Sequence, residues 1–262
     1  MGFNASKVIT NKRLDGKTAL ITGSNTGIGK ATAKELYRLG ARVILACRDI
    51  KRAEDALLQI QNEVRNEDKV GELVIKHLNL SSFSSVRKCA EEINLKEENL
   101  HFLINNAVGV MHWDDLNYEK KRYSAIGAYA QSKLANVLFT MELAEKLKAK
   151  SVAVYSIHPG IVRTDLGRYV DKTFFWGAHW ITSLVFMPFY KTPDEGALTI
   201  LHCALKESDE FSGCYFSDCR LQEDKESLDR KYGDAATKLW TLSSDLVNYD
   251  FDFKKIEKER IK

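Results

Sequence analysis

The sequence predicts an α/β fold in which helices flank both faces of a doubly wound parallel sheet. Short apolar runs alternate with helix-forming segments from Leu14 to Leu80, and a glycine-rich turn follows the first of these runs. A length of 262 residues suits one such domain, so we assign 1–262 to a single domain. The net charge of +3 and a hydrophobic content of 44% do not indicate a nucleic-acid partner.

Strands and helices alternate regularly up to residue 104. Apolar runs predict strands at Thr18–Ile21, Val43–Ala46, Leu73–Ile75 and Leu100–Ile104. The first helix is predicted over 28–39, the second after an Asp49 cap, and the third after a Ser81 or Ser82 cap. Such alternation produces a parallel sheet with right-handed crossovers.

The pattern then becomes irregular until Ser124. Helical spacing resumes at Ile126 and continues to Met141, and an apolar run predicts a strand over 151–157. Pro193 begins another helix that reaches about Leu205, and a short strand is predicted over 213–216.

A glycine-rich loop lies between the first strand and its helix. Its glycines are Gly23, Gly27 and Gly29. They allow a tight turn and a close backbone approach to a pyrophosphate, which the amides of the helix N-terminus would then bind. The loop therefore predicts a Rossmann-like dinucleotide site, with a purely structural turn as the alternative.

The end of the second strand indicates which dinucleotide is bound. An NAD site usually has Asp or Glu there, whereas this chain has Cys47 followed by Arg48. An arginine can pair with a 2′-phosphate, so we predict NADP(H). The alternative is a solvated Arg48 beside an Asp49 that only caps the next helix.

Tyr129 and Lys133 are four residues apart and therefore share one face of a helix. A tyrosine with a pKa near 10 is a poor base at neutral pH, but an adjacent ammonium favours the phenolate. Downstream of a dinucleotide loop, the pair predicts proton transfer coupled to hydride transfer.

In these motifs the chain resembles a short-chain dehydrogenase/reductase, and it is most similar to the retinol-dehydrogenase-like branch. Further matching stretches are Cys47-Arg48-Asp49, Asn105-Asn106-Ala107, the residues around Tyr129 and Lys133, His158–Thr164, Glu195-Gly196-Ala197 and Gly213–Cys219. The resemblance implies an NADP(H)-dependent oxidoreductase that interconverts a lipophilic alcohol and its aldehyde or ketone.

The resemblance also assigns roles to individual residues. Tyr129 would be the general acid/base, and Lys133 would lower its pKa and hold the nicotinamide ribose. The residues implied to contact the cofactor, besides this pair, are Gly23, Ser24, Asn25, Gly27, Ile28, Gly29, Arg48, Asn79, Leu80, Asn105, Ala107, Pro159, Gly160, Val162 and Thr164. Asn79 stands where the family usually has Asp.

The chain departs from the family after Ala107. The family continues with a long helix and a fifth strand that ends in the catalytic serine, but only 21 residues separate Ala107 from Tyr129. A strand–helix–strand unit needs on the order of 30 residues. We therefore expect an internal deletion of one central helix and the serine-bearing strand. Direct pairing between the strands on either side would be compatible with the crossover rule.

No nearby serine clearly replaces the missing one. Ser124 is expected to cap the Tyr129 helix, and Ser132 points away from the Tyr129–Lys133 face. We expect impaired activity, with a non-catalytic nucleotide-binding or regulatory protein, or a chain without a stable fold, as alternatives. The missing helix commonly contributes to the family's dimer interface, so oligomerisation is in doubt.

Residues 173–190 contain no Asp, Glu, Lys or Arg and are rich in Phe and Trp. This segment is interpreted as a substrate lid for a lipophilic small molecule, with a helix at the membrane surface or a true span as alternatives. The chain has five cysteines, an odd number that are not closely paired in sequence, and no hydrophobic leader. These features predict an intracellular protein, either cytoplasmic or at the cytosolic face of a membrane. No spacing suggests a metal site.

Overall fold

Two sheets organise the residues that the computed structural model describes, which are 12–105, 120, 122, 124–148, 152–160, 162, 191–206 and 210–248. The chain divides into two compact units. The first comprises Met1–Asn106 with Pro159–Leu205, and the second Ala107–His158 with Lys206–Lys262.

The described strands and helices alternate along the chain as far as residue 217, and one further strand and two helices follow. The strands are β1 (Thr18–Thr22), β2 (Arg42–Cys47), β3 (Glu72–His77), β4 (Phe102–Ile104), β5 (Ser156–His158), β6 (Tyr215–Ser217) and β7 (Arg220–Glu223). The helices are α1 (Gly27–Arg38), α2 (Ile50–Glu63), α3 (Phe83–Lys96), α4 (Ala125–Leu147), α5 (Pro193–Ala204), α6 (Lys225–Tyr232) and α7 (Ala235–Val247).

The first unit contains a four-stranded parallel sheet in the order β3-β2-β1-β4. Every residue of β1 is buried, as expected for a strand covered on both faces. Asp49 and Ser82 cap α2 and α3 through their side chains, which confirms both cap predictions. The predicted α/β class with a parallel sheet and flanking helices is confirmed.

Two apolar clusters hold this sheet. On one face, α1 and α5 contribute side chains such as Leu36 and Leu201, each with no exposed surface, to a cluster that includes Ile21 and Leu45. On the other face, Cys89 and Ile93 of α3 pack with Leu20, Ile44 and Leu78. Side chains of alternating β1 residues thus enter opposite clusters, as the pleat of a strand requires.

The second unit contains a three-stranded sheet in which β6 pairs parallel with β5 and antiparallel with β7. Its apolar cluster joins Leu138 and Met141 of α4 to Leu228 of α6 and Leu239 of α7. The strands β4 and β5 lie in different sheets, so the direct pairing that the crossover rule would allow is not present among the described residues.

The strand predicted over 151–157 is shorter than expected and begins only at Ser156. The reason lies in its partner, because residues 211–213 form a turn. The Val154 amide donates to the Ser212 hydroxyl at 3.1 Å, and the Gly213 amide donates to the Val154 carbonyl at 2.7 Å. A side-chain oxygen therefore replaces the backbone acceptor that would have continued the ladder.

His101, the residue before β4, is hydrogen-bonded to Thr18, the first residue of β1. The Thr18 amide donates to the His101 Nδ1 at 3.0 Å, and the His101 amide donates to the Thr18 carbonyl at 2.9 Å. The imidazole thus takes the place of a strand carbonyl, which requires an unprotonated Nδ1. Partial loss of solvent around the imidazole, and secondarily the positive charge of Lys17, lower the pKa of His101 below its ordinary value of 6.5.

This bond should make stability depend on pH. Because the folded-state pKa is depressed, the contribution is complete above pH 6.5 and is lost as the pH falls from there through the folded-state value. Urea unfolding at neutral and mildly acidic pH should show a steeper loss for the wild type than for His101→Asn, which keeps an acceptor that does not titrate. We expect a difference below about 1 kcal/mol, because solvent screens an exposed imidazole. Identical pH profiles would exclude this role.

Candidate functional site

The carboxyl ends of the four parallel strands bring predicted site residues to one edge of the first unit's sheet. Gly23, Arg48, Asn79 and Asn105 follow β1, β2, β3 and β4 closely in the chain. The Gly23 amide donates to the Ala46 carbonyl at 3.0 Å, and the Leu78 amide donates to the Cys47 carbonyl at 2.9 Å. Ligands of open α/β sheets bind at this edge.

The glycine loop adopts the conformation that its sequence predicts. Gly23 and Gly27 have φ angles of 62° and 57°, a region that side-chain-bearing residues rarely adopt. Gly29 is buried, and a Cβ added there would lie 2.7 Å from the Gly23 carbonyl oxygen and 3.1 Å from the Ser24 Cα. The three glycines thus make the tight turn and the close packing of helix on loop that a phosphate cradle requires.

Ser24 supports this loop from beneath. Its side chain has no exposed surface, and its Oγ donates to the Ile21 carbonyl at 3.0 Å. The same Oγ lies 3.5 Å from the Sγ of Cys47, which is also buried. The Ser24 hydroxyl therefore faces the sheet, and the loop presents its backbone to a ligand.

The N-terminus of α1 is suited to an anion. Thr26 occupies the cap position with extended backbone but makes no side-chain capping bond, and the first turn contains no acidic residue. By contrast, Thr192 and Glu195 form a complete capping box on α5. An uncapped helix start leaves amide hydrogens and partial positive charge for a phosphate.

The residues that follow β2 and β3 differ in how they are held. Arg48 is exposed, and within the described part of the chain its guanidinium makes no hydrogen bond or ion pair. The neighbouring Asp49 caps α2, because its carboxylate accepts from the Arg52 backbone amide at 3.1 Å. Asn79 is fixed by two hydrogen bonds within its own turn. Its side-chain Oδ1 accepts from the Ser81 backbone amide at 3.1 Å, and its backbone amide donates to the Ser85 hydroxyl at 3.0 Å. Leu80 is 55% exposed beside it.

Gly196 links two predicted cofactor residues that are distant in sequence. A Cβ at Gly196 would lie 2.7 Å from a Val162 methyl and 3.2 Å from the Ile28 Cγ1. Gly160, with φ of 86°, packs against the Lys191 side chain, and Val162 forms a bridge with Lys191. The supporting role of Lys191 was not predicted, because no spacing relates it to the glycine it contacts.

The second unit carries the predicted catalytic pair on α4. Both Tyr129 and Lys133 lie within this helix, while the Tyr129 side chain lies outside the described part of the structure. Lys133 is half-buried, and burial lowers the pKa of its ammonium. Ser124 Oγ accepts from the Gly127 amide at 3.1 Å, which confirms it as the helix cap.

Ser132 lies on α4, directly before Lys133. The Ser132 hydroxyl is buried and has no hydrogen-bond partner among the described residues. Ala107, Thr164 and the apolar segment 173–190 lie outside the described residues. No helix in the described ranges has both the length and the hydropathy of a transmembrane span. The same ranges contain no group of three or more His, Cys, Asp or Glu side chains that could hold a metal ion.

Comparison with known proteins gives consistent matches over most of the chain. A model of the short chain dehydrogenase family matches residues 17–121 and 117–173. Retinol dehydrogenase 12 of Homo sapiens is 38% identical, covering 91% of this chain and 88% of its own. Retinol dehydrogenase 11 of Mus musculus is 36% identical, covering 93% and 90%.

The alignment with the mouse protein is longer than the chain itself. It runs over 298 positions, whereas the chain has 262 residues, so at least 36 positions of that relative have no counterpart here.

Solved structures of similar fold also exist. A putative uncharacterized protein from Mycobacterium Paratuberculosis is 26% identical with a TM-score of 0.68, covering 96% of this chain and 100% of its own. L-sorbose reductase from Gluconobacter frateurii, complexed with NADPH and L-sorbose, has a TM-score of 0.62 at 17% identity, covering 78% and 95%, and shares the fold.

Proposed function

Because this chain belongs to the short chain dehydrogenase family, we propose that it is an NADP(H)-dependent oxidoreductase that interconverts a lipophilic alcohol and its aldehyde or ketone. The cradle formed by Gly23, Gly27 and Gly29 at an uncapped helix start is the observation that carries this proposal. The retinol dehydrogenase relatives, 33–38% identical, support a lipophilic substrate such as a retinoid.

The residues at the sheet edge fit a nicotinamide dinucleotide. The loop amides and the start of α1 would hold the pyrophosphate, and the exposed Arg48 guanidinium would pair with a 2′-phosphate. Asn79, Leu80 and Asn105 would border the adenine and the cleft, with Ile28 and Val162 beside Gly196. When bound, this cofactor supplies or accepts the hydride.

Tyr129 and Lys133 would handle the proton. In the reductive direction the Tyr129 phenol donates its proton to the substrate oxygen, and in the oxidative direction the phenolate removes it. Burial lowers the pKa of Lys133 and so disfavours its charged form on its own. A neighbouring ionised Tyr129 would favour that charged form, and the protonated Lys133 would in turn favour the phenolate.

We further propose that turnover is impaired by an internal deletion after Ala107. The alignment positions without a counterpart in this chain support it, as do the 21 residues between Ala107 and Tyr129. A missing hydroxyl donor at the reacting oxygen costs about 10²–10³ in rate. Ser124 already serves as the cap of α4, which supports the proposal that it does not replace the missing catalytic serine. A non-catalytic nucleotide-binding protein is therefore the second candidate function.

Two assays on one preparation test these functions. NADPH binding is followed by fluorescence, and retinaldehyde turnover is followed by loss of NADPH absorbance. Binding with turnover supports the enzyme, and binding without turnover supports the non-catalytic candidate. A folded chain that does not bind NADPH would contradict both.

Arg48 should determine the preference between the two nicotinamide cofactors. Arg48→Gln removes a charged donor, so we expect the Kd for NADPH to rise about tenfold or more while that for NADH stays unchanged. The measurement is fluorescence titration with both cofactors at one ionic strength. Lys51→Gln is the matched control, because Lys51 is also an exposed cation three residues away. Equal effects of the two substitutions would indicate general electrostatics instead of a specific contact.

A further inference from the structure

We propose that Lys191 is a positioning residue whose side-chain stem holds Gly160 and Val162 in place for the nicotinamide half of the cofactor. The inference rests on the proposed NADP(H) site and adds a residue to it. Lys191 and the two residues that it holds all lie in the first unit, as does the glycine loop.

Lys191 contacts this segment through both its side chain and its backbone. A Cβ added to Gly160 would lie 2.9 Å from the Lys191 Cδ and 3.0 Å from its Cε, so the stem lies directly against the glycine. Gly160 has φ of 86°, a region that side-chain-bearing residues rarely adopt. The backbone of Lys191 also forms a parallel bridge with Val162. Lys191 is half-buried, as expected when the methylene groups of a lysine pack against a neighbouring segment.

Val162 connects this segment to the start of α1. A Cβ added to Gly196 would lie 2.7 Å from a Val162 methyl and 3.2 Å from the Ile28 Cγ1. Gly196 lies near the start of α5, and Ile28 lies near the start of α1. The segment that Lys191 holds therefore lies beside the helix start that would bind the pyrophosphate.

The layout of the sheet assigns this segment to the nicotinamide half. The crossovers from β1 to β2 and from β2 to β3 place α2 on the β3 side of α1. The cluster beneath α1 and α5 includes Phe102 and Ile104 of β4, so α5 lies on the other side. A dinucleotide with its pyrophosphate at α1 and its 2′-phosphate at Arg48, after β2, would extend its nicotinamide half toward that side.

Substitutions at Lys191 separate packing of the stem from its charge. Lys191→Ala removes the contact with Gly160, so we expect the Kd for NADPH to rise about tenfold. The Kd for adenosine 2′,5′-bisphosphate, which lacks the nicotinamide half, should change less than about twofold. Lys191→Met should bind both ligands as the wild type does, because its Sδ and Cε replace the two carbons that lie against the glycine. Calorimetric titration measures both affinities.

Lys34→Ala is the matched control for loosening of α5. Lys34 forms an ion pair with Asp194 of α5, and it lies further along α1 than Ile28. Its truncation weakens the same pair of helices without removing the stem beside Gly160, so neither affinity should change more than about twofold.

Hydrogen exchange without nucleotide tests the contact independently of the proposed function. The peptide that contains Gly160 and Val162 should exchange faster in Lys191→Ala than in the wild type. Lys191→Met and Lys34→Ala should exchange as the wild type does.

Four results would overturn the proposal. They are an unchanged NADPH affinity in Lys191→Ala, an equal loss of affinity for adenosine 2′,5′-bisphosphate, a Lys191→Met variant as weak as Lys191→Ala, and unchanged exchange in Lys191→Ala. A folded wild type that binds neither ligand would instead contradict the proposed function, and the role of Lys191 in cofactor binding with it.

Discussion

Restoring a helix and a strand between Ala107 and Gly109 should raise the retinaldehyde reductase rate of this chain about 10²–10³-fold. The segment would be taken from retinol dehydrogenase 12 of Homo sapiens, which is 38% identical to this chain. The gain would have two physical sources: a hydroxyl donor at the reacting oxygen, and a strand that pairs with β4, whose one strand partner among the described residues is β1. The measurement is kcat/KM for retinaldehyde with and without the insertion.

Two controls separate these sources. An insertion whose strand-terminal serine is replaced by alanine should restore the sheet, measured as stability to urea, but little of the rate. Tyr129→Phe in the restored chain should remove the gained activity while the Kd for NADPH changes little, since the phenol hydroxyl acts on the substrate. If the restored chain folds, binds NADPH and is no faster than the original, the proposed deletion does not explain an impaired rate.

Gly29→Ala should weaken NADPH binding about a hundredfold. The added methyl would lie 2.7 Å from the Gly23 carbonyl oxygen and 3.1 Å from the Ser24 Cα, both of which are backbone atoms. The loop must move to accept it, and Ser24 resists that movement because its hydroxyl is bonded beneath the loop to the Ile21 carbonyl. Fluorescence titration with NADPH measures the effect.

Gly16→Ala is the matched control for this substitution. Gly16 also lies in the first unit and has φ of 73°, but no atom lies within 4 Å of an added Cβ. Alanine there should reduce stability without changing the affinity for NADPH, which distinguishes local displacement of the loop from general destabilisation. An unchanged affinity in Gly29→Ala would show that the loop does not bind the pyrophosphate as proposed.

The first unit could be predicted from sequence because several local signals agree. The apolar runs of β1 and β2, the Asp49 and Ser82 caps and the glycine loop each indicate the same α/β alternation. The inward direction of the Ser24 side chain could not be predicted, since a hydroxyl at that position can bond either to the sheet or to a ligand. Only the positions of the Ile21 carbonyl and Cys47 decide between them.

The second unit was harder to predict because its signals are weak or distant. The turn between β6 and β7 uses Asp218 and Cys219 with φ angles of 54° and 58°, where a hairpin usually has Asn-Gly. The sequence therefore predicted neither β7 nor the helices α6 and α7 that follow it. The late start of β5, at Ser156 instead of Ser151, likewise depends on Ser212, a residue far along the chain that accepts from the Val154 amide.

The packing of α5 on α1 has a consequence for how the protein is made. Lys34 of α1 and Asp194 of α5 form an ion pair at 2.7 Å although 160 positions separate them, and Leu36 and Leu201 share one apolar cluster. During synthesis, the apolar face of α1 emerges from the ribosome long before α5 can cover it. A nascent chain stalled between these helices would therefore be a substrate for chaperones, and completing this contact would be a late, slow step of folding.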